Sequence, residues 1–245
     1  MTPSLGPDLH LSGVRQSYDG RTAILDGIDL HAVSGQVSAV LGPNGAGKST
    51  LFRCITGQIR AAGSITVAGR EILGTPLHRM ARLGIGYLPQ GSRSFPELTV
   101  TDNLLAMVEL SPCPRRERRS ETARLLDLVG LTDLAQRRAQ HLSGGEARRL
   151  EIAKALVGSP RILLLDEPFA ALDPLIISHL AALIRSIAGG GVAVLVTDHN
   201  ITAILACADA IGILAHGRIA LSGPPAQILA DASAQEMYLA GMYRP

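Results

Sequence analysis

Apolar residues change their spacing along this chain, and each change predicts a different kind of element. In the first third they fall in short runs broken by polar residues and glycine. Leu9 to Tyr18, Ala23 to His31 and Gln36 to Leu41 predict three strands and Ser64 to Glu71 a fourth, with Gly35 and Gly63 marking turns near strand starts. The third strand leads into a glycine-rich stretch, Gly42 to Thr50, and a helix is expected from Ser49 to about Thr56. From Thr101 to Leu156 the pattern is mostly helical, with a break at Ser111, Pro112, Cys113 and Pro114; in the run Arg115 to Val129, the residues Leu125, Leu126 and Val129 share one face. This block reads as a helical lobe inserted into a core. Beyond it, Arg161 to Leu165 and Val192 to Thr197 are apolar without alternation, as strands buried on both faces of a parallel sheet are. Leu180, Leu183, Ile184 and Ile187 recur between them at helical spacing, so strand, helix and strand imply a right-handed crossover. Ala210 to Leu221 predicts two short strands about a His216-Gly217 turn, followed by a helix ending near Gly241.

Composition narrows the class. Apolar residues make up 47% of 245 positions, ample for a large core. No apolar run reaches the roughly 18 to 20 residues that span a bilayer; the stretch from Ile201 to Leu214 is broken by Asp209. The first residues lack the basic and apolar regions of a signal peptide, so a cytoplasmic chain is expected. A net charge of +2 and 3% aromatics argue against nucleic acid as a partner. Cys54, Cys113 and Cys207 have no metal or disulfide spacing and read as reduced thiols. The cluster from Arg115 to Arg119 reads as a solvated helix start. Only Lys48 and Lys154 are lysines among 23 basic residues. A persisting lysine suggests a need for a compact ammonium rather than a planar fork. Lys48 lies in the glycine-rich stretch, whereas Lys154 reads as an ordinary surface charge on a helix.

Gly42, Pro43, Asn44, Gly45, Ala46, Gly47, Lys48 and Ser49 match G-x-x-x-x-G-K-[ST] between a predicted strand and helix, the context this motif requires. Glycines let backbone N–H groups turn inward around phosphate, and the helix N-terminus adds partial positive charge. Lys48 reaches the β- and γ-phosphates and Ser49 offers a hydroxyl to Mg²⁺. The strand Arg161 to Leu165 delivers Asp166 and Glu167 at its C-terminal end. Asp166 is expected to hold Mg²⁺ through water, and Glu167 to orient and deprotonate an attacking water. Together these two halves mean a nucleoside triphosphatase.

The subtype rests on Leu142, Ser143, Gly144, Gly145 and Glu146. Ser143 and Glu146 form a capping box, S-x-x-E, ahead of a helix from Ala147 to Leu156. Two adjacent glycines at a helix start cost stability, which makes sense where backbone must approach an anion closely. With these residues the chain resembles the ABC ATPase family, from about Leu9 to the C-terminus and with every motif in the family's order. The resemblance implies an α/β fold: a P-loop NTPase (RecA-like) parallel-sheet core, an antiparallel β subdomain and an inserted helical subdomain at about 97–157, in one domain over 9–243. It implies ATP and Mg²⁺ bound by the phosphate loop through Thr50, with Tyr18 stacking on adenine. Gln90 matches the loop that senses Mg²⁺ and contacts the membrane partner. Ser143, Gly144 and Gly145 match the signature that meets the γ-phosphate held by a second copy. Asp173, after Ala171 and Leu172, matches the loop crossing a homodimer interface, and His199 matches the switch histidine. The chain would serve transmembrane permease subunits from the cytoplasmic face of the inner membrane.

Two stretches, Pro76 to Gln90 and Val194 to Asn200, are similar to the ATPase of the bacterial lipopolysaccharide export system, as are Leu165 to Ala170 and Tyr238 to Gly241. Phe95 matches an aromatic there that helps bind the membrane partners. Ala171-Leu172, where that family usually has Gly-Val, and Pro96, where an arginine is frequent, depart from it. The framework is shared with ATPases of branched-chain amino acid or urea importers. Soluble ABC proteins of DNA repair or translation carry coiled-coil insertions or tandem cassettes, which this chain lacks.

Overall fold

The computed structural model describes residues 8–91 and 94–234. In chain order its strands are β1 (Leu9–Ser17), β2 (Ala23–Ala32), β3 (Val37–Leu41), β4 (Ala62–Val67), β5 (Arg70–Glu71), β6 (Ile85–Leu88), β7 (Ile162–Asp166), β8 (Ala193–Thr197), β9 (Ala210–Ala215) and β10 (Arg218–Gly223). The helices are α1 (Lys48–Ile55), α2 (Leu77–Met80), α3 (Val100–Leu110), α4 (Arg118–Leu128), α5 (Gly144–Ala155), α6 (Pro174–Gly189), α7 (Ile201–Cys207), α8 (Pro225–Ala230) and α9 (Ala232–Ala234). The expected helix end near Gly241, and the stretch Tyr238 to Gly241, lie outside the described residues.

Two sheets divide the strands. One is antiparallel, in the order β2-β1-β4-β5; the other runs β10-β9-β3-β8-β7-β6, parallel from β9 to β6 with β10 antiparallel at its edge. Every residue of β3, β7 and β8 is buried, as their unbroken apolar runs require. Alternate residues feed opposite layers. Leu163, Leu165, Val194 and Val196 pack with α3 to α7. Ile162, Leu164, Ala193 and Leu195 pack with α1 and the antiparallel sheet. Fully burying one such side chain contributes roughly 1.5–3 kcal/mol, so these layers dominate the stability of the fold.

Three local expectations need correction. Ser64 to Glu71 is not one strand: Ala68 and Gly69 adopt positive φ, 48° and 77°, and fold it into a hairpin between β4 and β5. Gly63 lies inside β4, and a Cβ there would stand 2.5 Å from the carbonyl of Gly13 across the sheet. Lys154 is buried, not at the surface, and pairs with Glu151 at 3.3 Å. As expected, Leu125, Leu126 and Val129 are buried, and Arg115 and Arg116 are exposed before α4; Cys54 and Cys207 are buried and Cys113 is half-buried. Among the described residues, no helix is long and apolar enough to cross a membrane.

Candidate active site

The glycine-rich loop leaves β3 and ends in α1. Gly45 and Gly47 adopt φ of 81° and 107°, values that L side chains rarely tolerate. Close packing fixes two glycines independently. A Cβ on Gly42 would lie 2.4 Å from the Leu214 carbonyl oxygen, and one on Gly47 would lie 2.9 Å from Leu25 Cδ2. Gly47 caps α1 with no side-chain hydrogen bond, so the first amides of the helix remain for a ligand. Lys48 is buried and its ammonium donates to the carbonyls of Gly42 (2.6 Å) and Pro43 (3.0 Å), holding the charge over the loop. Burial pushes its pKa down, and the carboxylates of Glu167, Asp166 and Asp198 push it back up. Ser49 and Thr50 occupy the first turn of α1, partly buried. Pro43, Asn44 and Gly45 are exposed on the outer side of the loop.

Asp166 ends β7 beside Thr197, its register partner on β8. The Thr197 hydroxyl donates to the Asp166 carboxylate at 2.9 Å. Burial pushes the Asp166 pKa up and the Thr197 hydrogen bond pulls it down; neighbouring Glu167 raises it, and Arg53 and Lys48 lower it. Glu167 leaves the strand with φ of 51°, its amide donating to the Thr197 carbonyl at 2.7 Å. That turn aims its side chain at two groups: Gln90 Nε2 donates to it at 2.9 Å, and His199 Nδ1 stands 3.9 Å away. The phosphate loop, both carboxylates, Gln90 and His199 thus converge at the C-terminal ends of parallel strands, where such sheets place ligands.

Tyr18 is 60% exposed, and its hydroxyl lies 3.5 Å from the Thr50 hydroxyl, which places the ring beside the helix that follows the loop. Phe95 is 54% exposed rather than a core ring. Ser143 caps α5 in a complete capping box with Glu146, and Asp173 caps α6 through the amides of Leu175 and Ile176. Ser143, Gly144 and Asp173 are exposed, and among the described residues no hydrogen bond joins them to Lys48, Asp166 or Glu167. Gly145 has a packing reason besides any ligand: a Cβ there would stand 2.5 Å from Ile176 Cγ2.

Sequence reasoning assigned no role to Asp198. It is fully buried, and its carboxylate accepts from the amides of Phe169 (2.9 Å), His199 (2.8 Å) and Asn200 (2.9 Å). It therefore fixes the backbone under the histidine to the turn after Glu167. An acidic residue directly after an apolar strand was the available signal.

A model of the ABC transporter family matches residues 25–170. A probable ABC transporter ATP-binding protein of Azorhizobium caulinodans is 40% identical over 95% of this chain and 83% of its own length. The lipopolysaccharide export system ATP-binding protein LptB of Escherichia coli is 38% identical over 96% of this chain and 98% of its own. An ATP-binding cassette of an ABC transporter, solved in its ADP conformation, superimposes with a TM-score of 0.85 at 26% identity, covering 95% and 98% of the two chains. The chain therefore belongs to the ABC transporter family, as one of its ATPase subunits that work with membrane subunits.

Proposed function

We propose that two copies of this chain pair head to tail around ATP and power export of lipopolysaccharide or a related lipid or glycan through separate membrane subunits. The carrying observation is the convergence of Lys48, Asp166, Glu167, Gln90 and His199 in one chain while Ser143, Gly144 and Asp173 stand exposed elsewhere. His199 is 47% exposed, so the hydrolytic end of the site faces outward. A site that must exclude water needs a second surface, and an exposed signature helix on another copy supplies one.

In this reading Gly42 to Thr50 wrap the phosphates, Lys48 neutralises the β- and γ-phosphates, and Tyr18 stacks on adenine. Glu167 orients the attacking water and takes its proton, while His199 stabilises the γ-phosphate as it leaves. Ser49, Gln90 and Asp166 would hold Mg²⁺. The donor set fits a hard, oxygen-seeking ion: a hydroxyl, a carboxylate and an amide oxygen, the amide nitrogen of Gln90 already being given to Glu167. Bound there, Mg²⁺ would supply charge neutralisation at the phosphates. The helical stretch at about 97–157 would act as the inserted subdomain. Exposed Phe95 would meet the membrane subunits, placing the chain on the cytoplasmic face of the inner membrane.

The cargo reading draws on the LptB relatives, with Asp198-His199-Asn200 as its local support. Its test is reconstitution with lipopolysaccharide-export membrane subunits of the same organism, in vesicles loaded with lipopolysaccharide. ATP-dependent release of lipopolysaccharide is expected. Transport that instead requires a periplasmic amino-acid-binding protein would reject export in favour of an importer.

A further inference from the structure

Glu151 and Lys154 lie three residues apart on α5, with side chains 5% and 8% exposed and the ammonium 3.3 Å from both carboxylate oxygens. A buried ion pair carries a desolvation cost comparable to its attraction, so it is weak evidence of a stability role. A well-packed apolar pair would hold α5 as firmly. The placement of the carboxylate gives it another use: it accepts a hydrogen bond from the hydroxyl of Ser94. Ser94 opens the segment that carries Phe95.

The rest of that segment is fastened to α3. Fully buried Asn103 accepts from the Phe95 amide at 2.7 Å and donates to the carbonyls of Phe95 (2.9 Å) and Thr99 (3.0 Å). These bonds fix the shape of the loop, but they do not reach the nucleotide side. Glu151 does. Its helix begins at the Ser143 capping box, and eight residues on, about 12 Å along the axis, the same rigid element grips the loop.

We propose that Glu151, paired with Lys154, is a positioning residue that ties the signature helix α5 to the Phe95 loop, so that nucleotide-driven movement of α5 is delivered to that surface. The link is intramolecular; only its service to a membrane subunit rests on the docking role given to Phe95 above. It also gives a role to the second lysine of the chain, which neutralises the buried carboxylate that Ser94 binds.

The chain contains no tryptophan, so Phe95→Trp supplies a single reporter on the loop. In a Glu167→Gln background, ATP is expected to change Trp emission and anisotropy. Ser94→Ala, which removes one hydroxyl, should cut that response by at least half while leaving ATP affinity within twofold. The double variant Glu151→Leu/Lys154→Met, which removes both charges and the acceptor for the Ser94 hydroxyl, should do the same, and combining it with Ser94→Ala should add nothing further. A full response in these variants, or no ATP response in the parent, would overturn the proposal. Retained binding of membrane subunits by Phe95→Ala would reject the docking role and leave the helix-to-loop link standing.

Discussion

Neighbouring residues here carry different chemistry because their surroundings differ. Asp166 is buried and bonded by Thr197, whereas Glu167, one residue on, turns out of the strand towards Gln90 and His199. Lys48 is held by two loop carbonyls and has three carboxylates in its field. Lys48→Ala should weaken ATP binding about 100-fold, the scale of a lost hydrogen bond to a charged group. Unchanged affinity in a nucleotide titration would contradict the phosphate-loop assignment. Asp198→Asn keeps the size but turns an amide NH₂ towards backbone donors. A loss of roughly 1–3 kcal/mol in urea unfolding is expected, with slower hydrolysis as the His199 backbone is released. Wild-type values for both would show that the three amide bonds carry no weight. The placement of Lys48 at the start of α1 and of Glu167 just after β7 was legible in the sequence, because each follows from a local motif. The burial of Lys154 was not: its partner Glu151 is visible at i−3, but the hydroxyl that also binds that carboxylate comes from Ser94, more than fifty positions away.

Elements were legible where pattern and caps agree. The buried strands β3, β7 and β8 and the capping box of α5 follow from spacing alone. No sequence expectation covered β6, because Gly84 and Gly86 break its apolar run. Only the packing explains Gly86, where a Cβ would lie 2.1 Å from the carbonyl oxygen of Ala155 at the end of α5. The hairpin between β4 and β5 escaped because Ala68, not a glycine, takes a left-handed conformation there. The capping box gives a pH prediction with a defined sign. The Ser143 amide bonded to Glu146 holds its pKa below 4.5 against the opposing effect of burial, aided by the Ser143 hydroxyl and by Arg137 and Arg149. A depressed folded pKa means stabilisation that is present above 4.5 and lost as pH falls through the folded value. Glu146→Gln should therefore be less stable than wild type at pH 7, and the gap should close in acid. A gap independent of pH would remove the carboxylate from the account.

At the scale of the whole molecule, the proposed pairing of two copies bears on how the motifs are distributed over one chain. The phosphate loop, carboxylates and histidine meet at the C-terminal ends of the parallel strands β3, β7 and β8, and the signature helix presents its N-terminus elsewhere with Ser143 and Gly144 exposed. Leu175, next to the Asp173 cap, is 68% exposed at the start of α6, as a surface awaiting a second copy would be. The sequence could place each motif on its element, and the family order joined them. It could not show that Asp198 is buried or that Phe95 is exposed, since both depend on contacts distant along the chain. In the proposed mechanism ATP joins two copies and Glu167 releases them. Light scattering after size exclusion of Glu167→Gln, with and without ATP, tests this. A monomer without nucleotide, a stable dimer with ATP, and turnover reduced at least ~100-fold are expected. Wild-type turnover by this variant, or the same mass with and without ATP, would contradict that mechanism.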